Sequence, residues 1–329
     1  GYDFGLENTK FLGRIDWNIN DNHRLTLRYN QAETSDDVLV NSSSGPNPRV
    51  SGSRQGGSKT SGLSYQNTNY KQNSNVYSGV IELNSKFGNN ISNQLLASYT
   101  KQHDFRSTPG GFLPFVDIMN GNNAYISFGS EIYSYLNDLE NTTYNVANNF
   151  TINLRKHSIV AGASFDYMTF ANSFSNYGGN SYYRFASLDD FLNDRAPSLF
   201  AVTYSNTDRT AIAPATAKFA QAGIYLQDEI AVNDKFRLSL GLRADLPFYP
   251  EDPLTNPALK EVTFHDLDGN DFHIDLGKWP KSRLLVSPRV GFTYDAEGDK
   301  SLVLRGGTGI FTGRIPFVWL VNQSSDNGV

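Results

Sequence analysis

Residues 217–246 read AKFAQAGIYLQDEIAVNDKFRLSLGLRADL. In 236–246, Phe236, Leu238, Leu240 and Leu242 alternate with Arg237, Ser239, Gly241 and Arg243. In 217–232, Ala222, Ile224, Leu226 and Ile230 oppose Gln221, Tyr225, Gln227 and Glu229. A period of two puts successive side chains on opposite faces, so each segment predicts a strand with one apolar and one polar face. Between them lies a short connection, 233–235, whose Asn and Asp tolerate turn geometry. The unit is a hairpin, and its alternation recurs along the chain.

Working outward, the same pattern predicts strands at 9–18, 24–35, 76–87, 91–108, 143–154, 158–172, 284–295 and 300–312, about ten in all. Val80, Leu96, Val160, Val303 and Phe311 break the alternation. Leu25, Leu83, Ile152, Leu238 and Leu302 are expected on one face, and Arg28, Glu82, Asn153, Arg237 and Ser301 on the other. The connections alternate too. Short ones at 19–23, 88–90, 155–157, 233–235 and 296–299 follow odd-numbered strands. Long ones at 36–75, 109–142, 173–216 and 247–283 follow even-numbered strands. Compact soluble domains rarely contain a structureless loop beyond roughly 15 residues, and four need a cause. Outer-membrane barrels supply one, with short turns on the periplasmic side and long loops outside.

Composition narrows the alternatives. The chain has 329 residues, a formal net charge of −5, no Cys and five scattered His. Disulfides and thiolate chemistry are excluded, and no basic stripe points to nucleic acid. Mean hydropathy is −0.44, and no apolar run reaches the ~18 residues of a spanning helix. Aromatics make up 13%, with 18 Tyr and 22 Phe, which argues against disorder. A soluble antiparallel sandwich would pack its apolar faces together; a membrane barrel turns them to lipid and encloses a polar lumen. Three features favour the barrel. Charge sits mid-strand on the polar face, at Arg14, Asp16, Arg28, Glu82, Asp166, Arg243 and Arg305. Aromatics sit toward strand ends, at Trp17, Tyr29, Phe87, Tyr99, Phe236 and Tyr294, as interfacial girdles do. The loops are asymmetric in length.

The stretches FLGRIDWNINDNHRLTLRYN, QAGIYLQDEIAVNDKFRLSLGLRAD and SPRVGFTYDAEGDKSLVLRGGTGIFTGRIP resemble barrel hairpins of TonB-dependent outer-membrane receptors. The pieces FLPFVDI (112–118), YRFASLDDFLND (183–194) and GRIPFVWL (313–320) are similar to the Oar-like branch, whose members also carry a carboxypeptidase-regulatory-like N-terminal domain. The resemblance implies an all-β barrel of about 22 strands closed by a plug, in the outer membrane of a Gram-negative bacterium. It implies import of a scarce or large ligand (peptide, glycan or iron chelate), driven through TonB. This chain shows no plug, no TonB-contacting box and no terminal aromatic strand, so residues 1–329 are expected to be one partial barrel domain. It is expected to form an open antiparallel meander whose edges are 9–18 and 300–312. A TonB complex would be reached only through N-terminal parts outside the chain. Other expected partners are outer-membrane lipid and an external ligand, with a surface lipoprotein as a further possibility, and no nucleic acid. A passive porin, an adhesin or a soluble secreted β-protein that binds glycans or peptides are the alternatives.

The ligand candidates implied by the loop pieces are Phe115, Asp117, Tyr183, Arg184, Phe185, Arg314 and Trp319. The lumen-facing polar candidates are Arg14, Arg28, Glu82, Arg243 and Arg305. Asp266, Asp268 and Asn270 resemble the oxygen-rich opening of a calcium loop, but Gly277 occupies the place of the closing Glu. A hairpin turn at Asp268-Gly269, between VTFH and FHIDL, is the favoured reading, and no metal is expected. Ser187 is placed to cap a short helix with Asp189 and Asp190 in its first turn. The low-complexity stretch SSSGPNPRVSGSRQGGSKTSG is expected to be mobile. Arg305-Gly-Gly-Thr-Gly309 lacks the phosphate-loop pattern and lies in a strand. The carboxylate pairs Asp36-Asp37 and Asp189-Asp190 have no His or Ser partner at a telling spacing, so neither enzyme activity nor a cofactor is expected.

Overall fold

The computed structural model describes residues 3–40, 44–46, 62–174, 181–204, 214–313 and 316–325. Most of the low-complexity stretch lies outside these residues. In chain order, β1 (Leu6–Asn20) turns tightly into β2 (His23–Val38). The first long connection contains β3 (Leu63–Ser64) and a 3-10 turn at Gln66–Thr68. The second hairpin is β4 (Tyr70–Phe87) and β5 (Ile91–Ser107). The next long connection holds β6 (Phe115–Asn120) and β7 (Asn123–Phe128), and the hairpin β8 (Asp138–Asn153) and β9 (His157–Ser173) follows. β10 (Ser181–Phe185), α1 (Leu188–Leu192) and β11 (Leu199–Val202) fill the third. The hairpin β12 (Ala215–Ala231) and β13 (Phe236–Phe248) comes next. The fourth connection carries α2 (Pro257–Lys260), β14 (Phe264–His265) and β15 (Asp271–Phe272). The last hairpin is β16 (Leu285–Asp295) and β17 (Val303–Gly309), followed by α3 (Phe317–Ser325).

All ten long strands pair in one antiparallel sheet, in the order β1-β2-β4-β5-β8-β9-β12-β13-β16-β17. The meander puts every short turn at one end and every long connection at the other. β1 and β17 are the two ends of the order, so the sheet is open. Register fixes its slope. The row through His23, at the first short turn, runs by way of Ser85, Asn93, Phe150, Ala161, Leu226 and Leu242 to Pro288. β16 ends at its own short turn at Asp295, and 295 − 288 is seven residues over seven strand steps. A shift of one residue, about 3.4 Å, per strand spacing of about 4.8 Å tilts the strands by about 35° if the turns are level. Transmembrane barrels tilt by roughly 35–45°.

The register also sorts the faces. Ile15, Leu27, Ile81, Ala97, Val146, Phe165, Ala222 and Leu246 form one row of the apolar face. Tyr29, Tyr99, Tyr144 and Tyr167 share another, with Tyr99 and Tyr144 ring centroids 5.2 Å apart. Beyond it this face turns polar, with Lys101 bonded to Glu140 at 2.9 Å and His103 to Asp138 at 3.0 Å. At the opposite end Phe87, Phe236 and Tyr294 flank the short turns, while Trp17 stands three residues inside β1. On β5 the apolar band runs eight residue steps, from Ile91 to Tyr99. That is about 27 Å along the strand, or about 22 Å in height at this tilt, close to the ~25 Å band of outer-membrane barrels. One acid breaks it: Asp228 lies opposite Ile159 and Leu240 and bonds His157 Nδ1 at 2.7 Å.

The long connections carry more structure than the short helix at Ser187 and the hairpin at Asp268-Gly269 expected from sequence. β11-β10-β6-β7-β3 form a separate five-stranded sheet. Its core is Val40, Phe115, Ile132 and Tyr182. A second core lies at the long-loop end of the polar face, where Phe317, Leu320 and Val321 of α3 pack on Met168, Phe170, Ala217 and Phe219. The rings of Phe170 and Phe317 stack at 3.8 Å. Trp279 closes this core and donates its indole N–H to the Glu251 carbonyl at 2.7 Å.

Candidate functional site

Two surfaces carry the chemistry: the polar face of the large sheet and the aromatic face of the small one. Arg14, Arg28, Glu82, Arg243 and Arg305 all fall on the polar face by register. Arg14 and Arg24 bond the Asp16 carboxylate at 2.8 and 3.0 Å, and the Thr26 hydroxyl donates to it at 2.7 Å. Arg28 meets Glu82 at 3.2 Å, and the Asn84 and Gln94 amides donate to the same carboxylate at 2.8 and 2.9 Å. Asn149 donates to Gln94 at 3.1 Å, and the Tyr225 hydroxyl donates to Asn149. Arg243 completes the chain over the Tyr225 ring, bonding Asp245 at 2.7 Å and Ser164 at 3.1 Å.

Two of these contacts join strands that are not neighbours, and glycine permits both. The Tyr225 ring lies across Gly162, where a Cβ would strike it. Arg243 reaches Ser164 across Gly223, whose Cβ would come within 2.6 Å of Arg243 Nη2 and Asp245 Oδ1. Side chains that meet over an intervening strand indicate a face that curls inward. Thr26, Asp166, Asp245 and Ser287 are buried on it, whereas Ile15, Leu27, Ile81 and Leu226 of the other face are exposed. The result is a concave wall of charges held in pairs. Such pairs stay in place while presenting hydrogen-bonding groups to whatever fills the concavity.

The small sheet has two unlike faces. Tyr182, Arg184, Phe115, Asp117, Ser127, Leu199 and Ala201 share one. There Asp117 accepts from Ser127 at 2.6 Å and from Tyr182 at 2.5 Å, and Arg184 Nε donates to the Tyr182 hydroxyl at 2.9 Å. Burial, with the Asp117 charge beside it, pushes the Tyr182 phenol well above its ordinary value. Phe115 and Asp117 are fully buried and Arg184 nearly so, which makes this face the foundation of the sheet. Tyr183, Phe185, Val116, Ile118, Ile126 and Phe128 share the opposite face. Tyr183 meets Phe200 at 5.0 Å, and Phe191 of α1 meets Phe185 and Phe128 edge-on at 5.2 and 5.7 Å. An open cavity of about 600 Å³ is sunk into this face, lined by Tyr65, Ile118, Ile126, Phe128, Leu188 and Phe191 among others.

Of the ligand candidates named from sequence, the fold thus separates Tyr183 and Phe185 from Phe115, Asp117 and Arg184. Trp319 is on α3, 68% exposed and turned from the core beneath it. Arg314 lies outside the described residues. Asp266 Oδ1 accepts the backbone N–H of Asp268 and Asn270, and Oδ2 accepts the Asn270 amide. Those bonds hold its carboxyl below the ordinary aspartate value and build the expected hairpin turn, with Gly269 at φ 81°. Ser187 caps α1 as expected, accepting from Asp190 N at 3.1 Å. The cavity was missed from sequence, although a signal existed: FVDIMN and NAYISF are separated by the two residues Gly121-Asn122, a hairpin spacing with Gly in the turn.

A family model described as "Outer membrane beta barrel domain" matches residues 5–327. The outer membrane transporter YddB from Escherichia coli superposes with a TM-score of 0.52 at 10% identity, over 92% of this chain and 38% of that one. The siderophore receptor PiuA from Acinetobacter baumannii gives 0.47 at 16% identity, over 88% and 40%. The ferric-catecholate import receptor Fiu from Escherichia coli gives 0.48 at 13%, over 89% and 42%. At such identities the YddB likeness speaks for the fold, and the chain spans about 38% of the length of that transporter. No curated protein sequence matches significantly.

Proposed function

This chain belongs to the outer membrane beta barrel domain family, and from that premise we propose that it is a wall segment of a TonB-dependent transporter of the Gram-negative outer membrane. The observation that carries the reading is the pairing of two unlike surfaces in one sheet. The apolar face has the height and aromatic margins of a lipid-facing band, and the concave face carries bonded charges, including a chain of contacts from Arg28 to Arg243, suited to a watery lumen. Arg14, Arg28, Glu82, Arg243 and Arg305 would line that lumen. The small sheet, formed by the connections at the external end, would meet the ligand first, with Tyr183, Phe185 and Trp319 within reach of it. The buried Phe115, Asp117 and Arg184 would hold that sheet in shape, and Arg314 keeps only the sequence argument. The ligand is a peptide, a glycan or an iron chelate, delivered with or without a surface lipoprotein. Energy would come from TonB through N-terminal parts of the receptor.

Uptake by cells producing the full-length receptor tests this. Peptide, oligosaccharide and ferric-chelate pools in the medium are followed by mass spectrometry, with and without a protonophore. Receptor-dependent depletion of one pool that stops with the protonophore is expected. Depletion that continues would make the protein a passive porin, and no receptor-dependent depletion of any pool would refute transport.

A further inference from the structure

We propose that the cavity in the small sheet is a recognition pocket for an uncharged aromatic or branched aliphatic side chain of a peptide. This rests on the transporter reading and narrows its ligand. The cavity lies among the long connections, above the row of tyrosines and the charged pairs that end the apolar band, so it faces water and not lipid. Its volume, about 600 Å³, falls within the roughly 300–1,000 Å³ typical of small-ligand sites, and such sites combine apolar walls with a few polar groups. Tyr65 and Phe128 meet edge-on at 6.4 Å on one side, and Phe128 meets Phe191 at 5.7 Å on the other. Ile118 and Ile126, directly paired across β6 and β7, form the floor, and Leu188 the rim.

The chemistry of the lining selects the occupant. Among the described lining residues none is charged, and their side-chain polar groups are the Tyr65 hydroxyl and the Gln66 and Asn67 amides. Asn67 already accepts the Gly129 N–H through Oδ1 at 3.2 Å, which steadies that side of the wall. An anionic iron chelate would find no cation among them. A sugar would find too few partners for its hydroxyls, and each one left unbonded on burial is costly. An apolar side chain leaves no polar group unbonded on entering, and a neighbouring peptide group can bond the two amides. The wall is held from beneath by the Asp117–Ser127–Tyr182 bonds, so the pocket is largely formed before a ligand arrives.

The test is binding to the full-length receptor folded in detergent, measured by calorimetry with three capped tripeptides, Gly-Phe-Gly, Gly-Lys-Gly and Gly-Asp-Gly. The Phe peptide should bind at least about tenfold tighter than either charged one, the scale expected for burying one large apolar side chain. Leu188→Asp places a carboxylate on the rim of a short, half-exposed helix. It should weaken the Phe peptide by about tenfold and make the Lys peptide the preferred ligand. Leu192→Asp, one turn along α1, 69% exposed and outside the lining, should change neither. Equal binding of the three peptides, no binding of the Phe peptide, or an unaltered preference in Leu188→Asp would overturn the proposal. Competition for the pocket by a ferric catecholate or a maltooligosaccharide would do the same. Receptor-dependent, protonophore-sensitive uptake of another pool would then leave the transporter reading standing without this one.

Discussion

Leu95→Arg should be the most damaging single charge on β5, and the reason is depth. Leu95 is 41% exposed on the apolar face, between Leu83 and Asn148. It stands four residues above Ile91, at the short-turn end of its strand. Four residues are about 14 Å along the strand, or about 11 Å in height at a tilt of about 35°, half of the ~22 Å band. An Arg at the midplane of a lipid-facing wall costs roughly 2–4 kcal/mol, and near the rim about 0–1. The folded-to-unfolded ratio should therefore fall by about 30- to 1,000-fold for Leu95→Arg and by little for Ile91→Arg. Leu96→Arg, one residue away, points to the polar face beside Glu82 and should be tolerated. The assay is denaturant unfolding of the full-length barrel in lipid vesicles, read by heat-modifiable electrophoretic mobility. Equal costs for Leu95→Arg and Leu96→Arg would refute the assignment of faces. A cost for Ile91→Arg as large as for Leu95→Arg would refute the depth scale.

Three further outcomes are expected. Gly162→Val should push the Tyr225 ring off its seat and break its bond to Asn149, costing about 1–3 kcal/mol; adding Tyr225→Ala should recover part of this in a double-mutant cycle, and strict additivity would count against the contact. His157→Leu should strand the Asp228 carboxylate, whose Oδ1 already has no partner, and Asp228→Asn should restore vesicle stability in that background; a neutral His157→Leu would show that the pair carries no weight. The Asp266 carboxyl, held below its ordinary 3.8 by bonds from Asn270 and Asp268, favours the folded hairpin. That contribution is complete above the unfolded value and is lost as pH falls through the folded one, so protection of the Asn270 amide, taken relative to its intrinsic exchange rate at each pH, should fall only below pH 3.8, and a loss of protection nearer neutrality would exclude Asp266 as the cause.

The alternation in residues 217–246 and its repeats determined the ten strands, their facing and the meander order, and the resemblance to a wider barrel supplied the expectation of open edges. Period-2 pattern and turn residues are local properties, and antiparallel neighbours joined by tight turns leave little choice of partner. The facing followed as well: Leu25, Leu83, Ile152 and Leu238 trace to one side of the register and Arg28, Glu82, Asn153 and Arg237 to the other, whereas Leu302 and Ser301 precede β17 and have no register partner in the sheet. What the chain could not announce locally was the small sheet. β6 pairs in parallel with β10, and β3 with β7, across long intervening stretches of chain, and such pairings are set by packing on the Phe115 and Tyr182 core and not by neighbouring residues. The same packing decided the candidate site. Phe115, Asp117, Tyr183, Arg184 and Phe185 read as one group in sequence. Pleating sends Phe115, Asp117 and Arg184 into the foundation and Tyr183 and Phe185 onto the aromatic face, and only the tertiary fold brings Tyr65, Ile126 and Phe191 together around one cavity.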